Sequence, residues 1–223
     1  MSENYIQLPP VESPLAKVGH LNLKPSPPLA YVVGVILGDG NVSKIKKKQG
    51  YDYRVRLETI SRTFAESFAL ALSKLGLHPI FYVEKRRTAK GNQIYCVDSY
   101  SKTFYEWFTS LGDKGIREIA YAYPLDFLRG FYESEGSFIK RLKTYRSIKK
   151  GKKYEYRYYR TEVYIYNSDL NLLSLIAELL GGMGIKYYWR KNYDGKGINA
   201  LVMENKHALR FIEVVQPCIK RVK

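Results

Sequence analysis

The sequence predicts an α+β chain built from two similar halves, each running helix–strand–strand–helix–strand–strand–helix. Three observations carry this expectation. One short segment occurs twice with equal spacing, as Pro28, Gly34, Asp39 and Gly40 and again as Pro124, Gly130, Glu135 and Gly136. Each copy is followed by the same order of period-two and helical patterns. Matching punctuation closes matching elements, Gly76-Leu77 in one half and Gly184-Ile185 in the other. A supersecondary unit used twice in one chain implies pseudo-twofold symmetry.

The elements follow in order. Residues 1–26 contain Pro9, Pro10, Pro14 and Pro25 with little periodicity and read as an N-terminal extension. Ser26 is a suitable N-cap, with Pro27 and Pro28 opening a helix where a missing N–H costs nothing. The apolar residues up to Leu37 bury that helix, and Gly40 permits the turn out. Strands are expected over 41–48 and 51–60, turning at Gln49-Gly50. In the second of them Tyr51, Tyr53, Val55 and Leu57 alternate with Asp52, Arg54, Arg56 and Glu58. Tyr51, Tyr53, Tyr187 and Tyr188 are assigned to the core. Thr63 and Glu66 suggest a capping box for a helix ending at Gly76. A second hairpin, 81–87 and 93–97, turns at Ala89-Lys90-Gly91. A helix over 103–111 then places Phe104, Trp107, Phe108 and Leu111 on one face. The second half replays this order with a helix to Glu135, strands 137–147 and 154–166, a helix over 170–180, strands 186–191 and 198–203 around Asp194-Gly195, and a helix over 207–215. The repeats are thus drawn as 27–122 and 123–223.

The two acids have a chemical consequence. Gly34 and Gly130 lack a Cβ, so two such helices could touch backbone to backbone, with Asp39 and Glu135 side by side at their ends. Adjacent carboxylates at the negative ends of helix dipoles repel each other, and divalent cations would relieve this.

Composition narrows the partners. The 223-residue chain is 45% hydrophobic, enough for a packed interior, and has no apolar run of membrane-spanning length. Its early charges and prolines do not resemble a secretion signal, so an intracellular, non-secreted protein is expected. Cys96 and Cys218 form no ligand cluster, and His20, His78 and His207 are scattered, which argues against a zinc site. The net charge of +16 is the footprint of a polyanion binder. The charge is concentrated where the halves differ. Gly76 follows Asp39 by 37 positions, whereas Gly184 follows Glu135 by 49, and the extra stretch lies in the first hairpin of the second half. Lys140, Arg141, Lys143, Arg146, Lys149, Lys150, Lys152, Lys153, Arg157 and Arg160 lie there with Glu155 and five interleaved tyrosines. A long basic β-ribbon of this kind fits a DNA groove.

The segments Val32-Val33-Gly34-Val35-Ile36-Leu37-Gly38-Asp39-Gly40 and Leu128-Arg129-Gly130-Phe131-Tyr132-Glu133-Ser134-Glu135-Gly136 resemble the paired signature of LAGLIDADG homing endonucleases of the two-motif monomeric type. The resemblance implies a saddle with two antiparallel sheets on the DNA face and the motif helices at the repeat interface. It implies site-specific, Mg²⁺-dependent cleavage of both strands of a long, nearly non-palindromic DNA, with Mn²⁺ able to substitute, and an intron origin. Asp39 and Glu135 match the catalytic, metal-binding acids, with the Gly38 and Ser134 carbonyls as further metal donors. Glu133 lies on another helical face and is secondary. Family members also place a basic and a polar residue near the metals. Lys114 and Lys220 are the candidate lysines and Asn167 the polar residue, while Ile60 stands at the corresponding place in the first half. The candidate DNA contacts are Lys44, Lys46, Arg54, Arg56, Arg86, Arg87, Arg190 and Lys191, together with the ribbon cations named above other than Arg141. Intron RNA is an alternative partner, for a maturase or a cleavage-inactive binder on the same scaffold. A basic structural protein of chromatin or ribosome would not need the paired acids.

Overall fold

The computed structural model describes residues 21–149, 151–195 and 197–219. It divides into two compact units, to Phe127 and from Leu128. Each holds one four-stranded antiparallel sheet.

In unit 1 the helix α1 (Pro27–Leu37) is buried along Leu29–Ile36 without a break, as expected of a helix apolar on all sides. Two hairpins follow, β1 (Asn41–Lys46) with β2 (Tyr51–Thr59) and β3 (Ile80–Arg87) with β4 (Gln93–Tyr100), in the sheet order β1-β2-β4-β3. Between them lies α2 (Arg62–Lys74), and after them α3 (Lys102–Ser110) and α4 (Gly112–Ala122). Val55, Leu57 and Val97 are fully buried on the helix-side face of the sheet. The other face, holding Arg54, Arg56 and Glu58, is open.

Unit 2 takes over within α5 (Pro124–Glu135) and continues through β5 (Gly136–Lys149), β6 (Lys152–Asn167), α6 (Leu170–Gly182), β7 (Tyr188–Arg190), β8 (Asn199–Glu204) and α7 (Lys206–Val215), with sheet order β5-β6-β8-β7. The strand β8 pairs with β6 only along 162–167, so the distal part of the β5–β6 hairpin stands free of the sheet. At the usual rise per residue the free part is roughly 30 Å long.

The duplication is visible in detail. The helices α2 and α6 both end on a left-handed glycine, Gly76 at φ +85° and Gly184 at φ +66°. In both, the next N–H returns to the helix, Leu77 to the Leu72 carbonyl at 3.1 Å and Ile185 to Leu180 at 3.0 Å. Several expectations need correction. The N-cap of α2 is Ser61, whose hydroxyl accepts from Phe64 N–H, and Glu66 pairs with Arg62 at 2.7 Å rather than closing a box on Thr63. The helix α4 was not anticipated and has no counterpart among the described residues of unit 2. Its sequence lacks a capping side chain, and it is held by burial of Ile119 and Ala120. Of the tyrosines assigned to the core, Tyr51 is 51% and Tyr188 43% exposed, whereas Tyr53 is half-buried against Tyr105. Tyr51 faces Lys46 at the hairpin end, and the Lys44 ammonium lies 4.1 Å from its ring. Among the described residues no helix is long and apolar enough to cross a membrane.

Candidate functional site

Each motif helix ends in an acid held by a tightly packed glycine. At the end of α1 the N–H groups of Gly38 and Gly40 both donate to the Val35 carbonyl, at 3.1 and 2.9 Å. This turn presents Asp39 on the exposed side. A Cβ on Gly40 would lie 2.8 Å from Ile36 Cα and 3.1 Å from the Val35 oxygen, so no other residue fits without moving backbone. The second motif solves the same problem differently. Here α5 runs through Glu135, and β5 begins at Gly136 with no intervening turn. A Cβ on Gly136 would lie 2.5 Å from the Tyr132 carbonyl oxygen and overlap the Tyr132 ring. That ring is only 2% exposed and packs edge-on against Phe211, with 5.0 Å between centroids.

The neighbours of Glu135 have other work. The Ser134 hydroxyl donates to the Gly130 carbonyl at 3.2 Å, leaving its own carbonyl as the group relevant to a metal. Glu133 is buried, pairs with Arg129 at 3.1 Å and accepts from the Cys218 N–H at 2.6 Å. It ties α5 to the segment after α7, a structural task that matches its position on a different helical face from Glu135. Arg129 is 35% exposed, so the main loss in Glu133→Ala is the bond that satisfies the Cys218 N–H, and unfolding stability is expected to fall by about 2 kcal/mol. A denaturant midpoint equal to the parent's would refute that role.

Lys114 lies on α4 with its side chain 92% exposed, 4.0 Å from Glu118. Lys220 lies outside the described residues, as do Lys150 and the first 20 residues of the extension. The strand register revises one equivalence. Asn41 pairs with Arg56 and Gly136 with Ile165, so matching Gly40 to Gly136 places Thr59, not Ile60, opposite Asn167 in the repeat. Local bonding agrees. The Thr59 hydroxyl accepts from Ser61 N–H at 3.2 Å, and the Asn167 side-chain oxygen accepts from Asp169 N–H at 2.8 Å. Ser61 and Asp169 are the N-caps of α2 and α6.

The candidate DNA contacts separate into groups that sequence spacing does not reveal. Lys44 and Lys46 share the helix-side face with Tyr53 and Tyr51, their cross-strand partners, and are not on the open face. Arg87 reaches back to the Gly91 carbonyl at 3.0 Å, bracing its hairpin, and Lys191 follows β7 in a turn. On the open face of unit 1, Arg56 is only 16% exposed and is surrounded by Glu58, Glu84 at 3.5 Å and Asp98 at 3.5 Å, with Arg86 also on Glu58. The Tyr82 hydroxyl donates to Asp98 at 2.9 Å, and burial together with that bond pushes its phenol well above the usual range. Glu58, Glu84 and Cys96 are spaced closely enough to ligate a metal. However, the Arg56 guanidinium already supplies the positive charge there, and burial pushes the Cys96 thiol up to about 11, which keeps it protonated.

The open face of unit 2 has a different character. Arg160 lies between Glu162 at 3.1 Å and Glu204, which also accepts from the Tyr188 hydroxyl at 2.8 Å. Burial and that hydrogen bond push the Tyr188 phenol up to about 12. Tyr164 and Tyr166, at the places of Arg56 and Glu58, stack at 5.6 Å and join Ile139, Ala200 and Val202 in an apolar cluster. On the free ribbon, Lys143, Tyr145, Lys152, Tyr154, Tyr156 and Tyr158 continue this open face, whereas Lys140, Arg146, Lys153 and Arg157 lie on the opposite one. Arg146 pairs with Glu155 at 2.8 Å, and Arg157 lies 3.7 Å from the same acid.

Comparison with known proteins agrees with the duplication. A family model described as a LAGLIDADG-like domain matches twice, over residues 26–111 and 122–216. Two uncharacterized proteins of Methanocaldococcus jannaschii are 37% identical over 125 residues and 36% identical over 178, covering 56% and 77% of this chain. The chain spans only 44% and 61% of those two relatives. The homing endonuclease I-DmoI of Desulfurococcus mucosus is 23% identical over 187 residues, covering 83% of this chain and 86% of its own. Its structure in complex with DNA and Mn superposes with a TM-score of 0.60 at 21% identity, over 85% of this chain and 96% of that one, a likeness of fold. With the acid–glycine helix end present in each of two matched copies, the chain belongs to the LAGLIDADG-like domain family.

Proposed function

We propose that the chain is a homing endonuclease, a monomeric, divalent-metal-dependent enzyme that cuts both strands of a long, nearly non-palindromic DNA target. The observation that carries this reading is the repeated helix end, where a carboxylate is followed in each unit by a glycine that no larger residue can replace. Family membership supports nuclease chemistry, and the complex of I-DmoI with DNA and Mn supports both the partner and the class of cation.

The donor set suits such a cation. Carboxylate and carbonyl oxygens are hard ligands, and one carboxylate with waters and phosphate oxygens is enough for Mg²⁺ or Mn²⁺. Asp39 and Glu135 would hold the cations, with the Gly38 and Ser134 carbonyls as additional donors. Bound there, the cations would neutralise the scissile phosphate and lower the pKa of an attacking water. The remaining residues bind and orient. The rigid exits at Gly40 and Gly136 fix the two carboxylates, and exposed cations of the β5–β6 ribbon attract the DNA backbone.

Intron RNA is the second reading, favoured by Tyr145, Tyr154, Tyr156 and Tyr158, whose 40–56% exposure leaves faces on which unpaired bases could stack. The discriminating experiment is incubation with a plasmid carrying the uninterrupted insertion sequence, in Mg²⁺, in Mn²⁺ and in EDTA. A linear product in either metal and none in EDTA is expected. Intact plasmid in both metals, with tight binding of the intron transcript, would replace the nuclease reading with the RNA one.

A further inference from the structure

We infer that the two open sheet faces divide the work of binding a duplex: the unit 2 face holds phosphates without regard to sequence, and the unit 1 face discriminates base edges. The inference rests on the DNA reading proposed above and concerns how that DNA is held.

The contrast is one of charge and of what the charges touch. On the unit 1 face the described cations are Arg54, Arg56 and Arg86, with Lys47 at the hairpin end. Arg56 is engaged by three carboxylates, and Arg86 lies against Glu58. The remaining acid of that face, Asp52, pairs with Lys47 at 3.1 Å. The carboxylates Asp52, Glu58, Glu84 and Asp98 therefore balance these four cations, and a phosphate approaching Glu58 or Glu84 would meet repulsion. Such a face gains little from the DNA backbone. It offers donors and acceptors fixed by their mutual bonds, and it suits base edges, where a carboxylate can accept from a cytosine amino group. A mismatched base would leave one of these half-buried groups desolvated and unpaired, the condition under which polar sites discriminate most strongly.

The unit 2 face is the converse. Glu162 and Glu204 are its acids, and both are taken up near the sheet by Arg160, with Arg141 3.5 Å from Glu162. Beyond them the ribbon carries no acid on this face. Lys143 and Lys152 have no carboxylate partner among the described residues, and they are interleaved with the four exposed tyrosines. Arg190 at the other edge lies over the Tyr193 ring at 4.6 Å rather than against an acid. The β1–β2 hairpin of unit 1, with strands of 6 and 9 residues against 14 and 16 in β5 and β6, has no comparable extension. A ribbon extending roughly 30 Å beyond its sheet reaches along about one helical turn of DNA.

The test uses the full chain and a mixed-sequence 30-bp duplex (roughly three helical turns), with Ca²⁺ as the divalent ion, and follows anisotropy across a series of KCl concentrations. Two double variants remove equal charge, K143Q/K152Q from unit 2 and R54Q/R86Q from unit 1. Removing one cation that neutralises a phosphate lowers the slope of log K against log salt by about 0.9. K143Q/K152Q is expected to lower the slope by roughly two and to weaken mixed-sequence binding at least tenfold, while R54Q/R86Q leaves the slope unchanged. A second arm enriches duplexes from a randomised pool on the parent and on E58Q/E84Q. The variant is expected to lose base preferences in one half of the enriched site and to keep its salt slope. Equal slope decreases in the two double variants, or unchanged preferences in E58Q/E84Q, would overturn the inference. Intact plasmid in both Mg²⁺ and Mn²⁺ in the incubation described above would remove the nuclease reading, yet the slopes measured in Ca²⁺ would still decide this one. Failure to bind any duplex overturns both.

Discussion

Asp39→Asn and Glu135→Gln are each expected to abolish double-strand cleavage while DNA binding is kept or slightly strengthened. Both substitutions preserve shape, so the Gly38 and Gly40 bonds to Val35 and the packing of Gly136 on Tyr132 should persist. What disappears is the anionic oxygen. A carboxamide is a poor ligand for a hard divalent cation, and a metal-stabilised phosphoryl displacement depends on several kcal/mol from that cation, so a fall of roughly 10³-fold or more is expected. Affinity comes mainly from cations of the unit 2 face and its ribbon, and removing a negative charge near the phosphates relieves repulsion. The measurement is a plasmid cleavage assay in Mg²⁺ beside a gel-shift titration in Ca²⁺. Parental cleavage by either variant would remove that residue from catalysis. Joint loss of binding and cleavage would make the acids structural.

Gly136→Ala is the second large effect, and it acts through packing. The added methyl would collide with the Tyr132 ring and carbonyl. The ring cannot swing aside, because it is buried and packed against Phe211. The junction between α5 and β5 must therefore shift, and it carries Glu135 with it. Overpacking of this kind costs roughly 1–3 kcal/mol, and the displaced acid should lower cleavage as well. Gly181→Ala provides the control, since a Cβ there meets nothing within 4 Å and replaces a glycine in α6. That variant should be as stable as the parent or slightly more so. If Gly136→Ala matches the parent in denaturant midpoint and in cleavage, the glycine cradle has no role. If Gly181→Ala is the more damaging of the two, the packing argument itself fails.

Much of the fold was legible because its signals are local. A proline-opened helix, a period-two strand and a glycine turn each depend on residues within a few positions, and those patterns placed α1, both hairpins of unit 1, α6 and α7 close to their observed bounds. The acids were legible for the same reason, since the helix and its closing glycine lie in one continuous segment. The helix α4 was missed because nothing in its own sequence caps it, and its stability comes from burying Ile119 and Ala120. Ile60 stood in for Thr59 as the counterpart of Asn167 because sequence spacing alone did not set the register of β2.

The amino-acid sequence by itself determined the duplicated α+β plan, the placement of Asp39 and Glu135 at the ends of α1 and α5, and the long basic ribbon. Only the tertiary structure decided which charges are available. Arg56 meets Asp98 42 positions away, Arg86 meets Glu58 28 positions away, and Arg160 meets Glu204 44 positions away. Lys44 turns to the helix side with Tyr53, while Lys143 and Lys152 remain without an acidic partner among the described residues. The physical reason is that a side chain's charge is written in its residue type. Its partner is set by strand register and sheet face, which depend on pairing between distant segments.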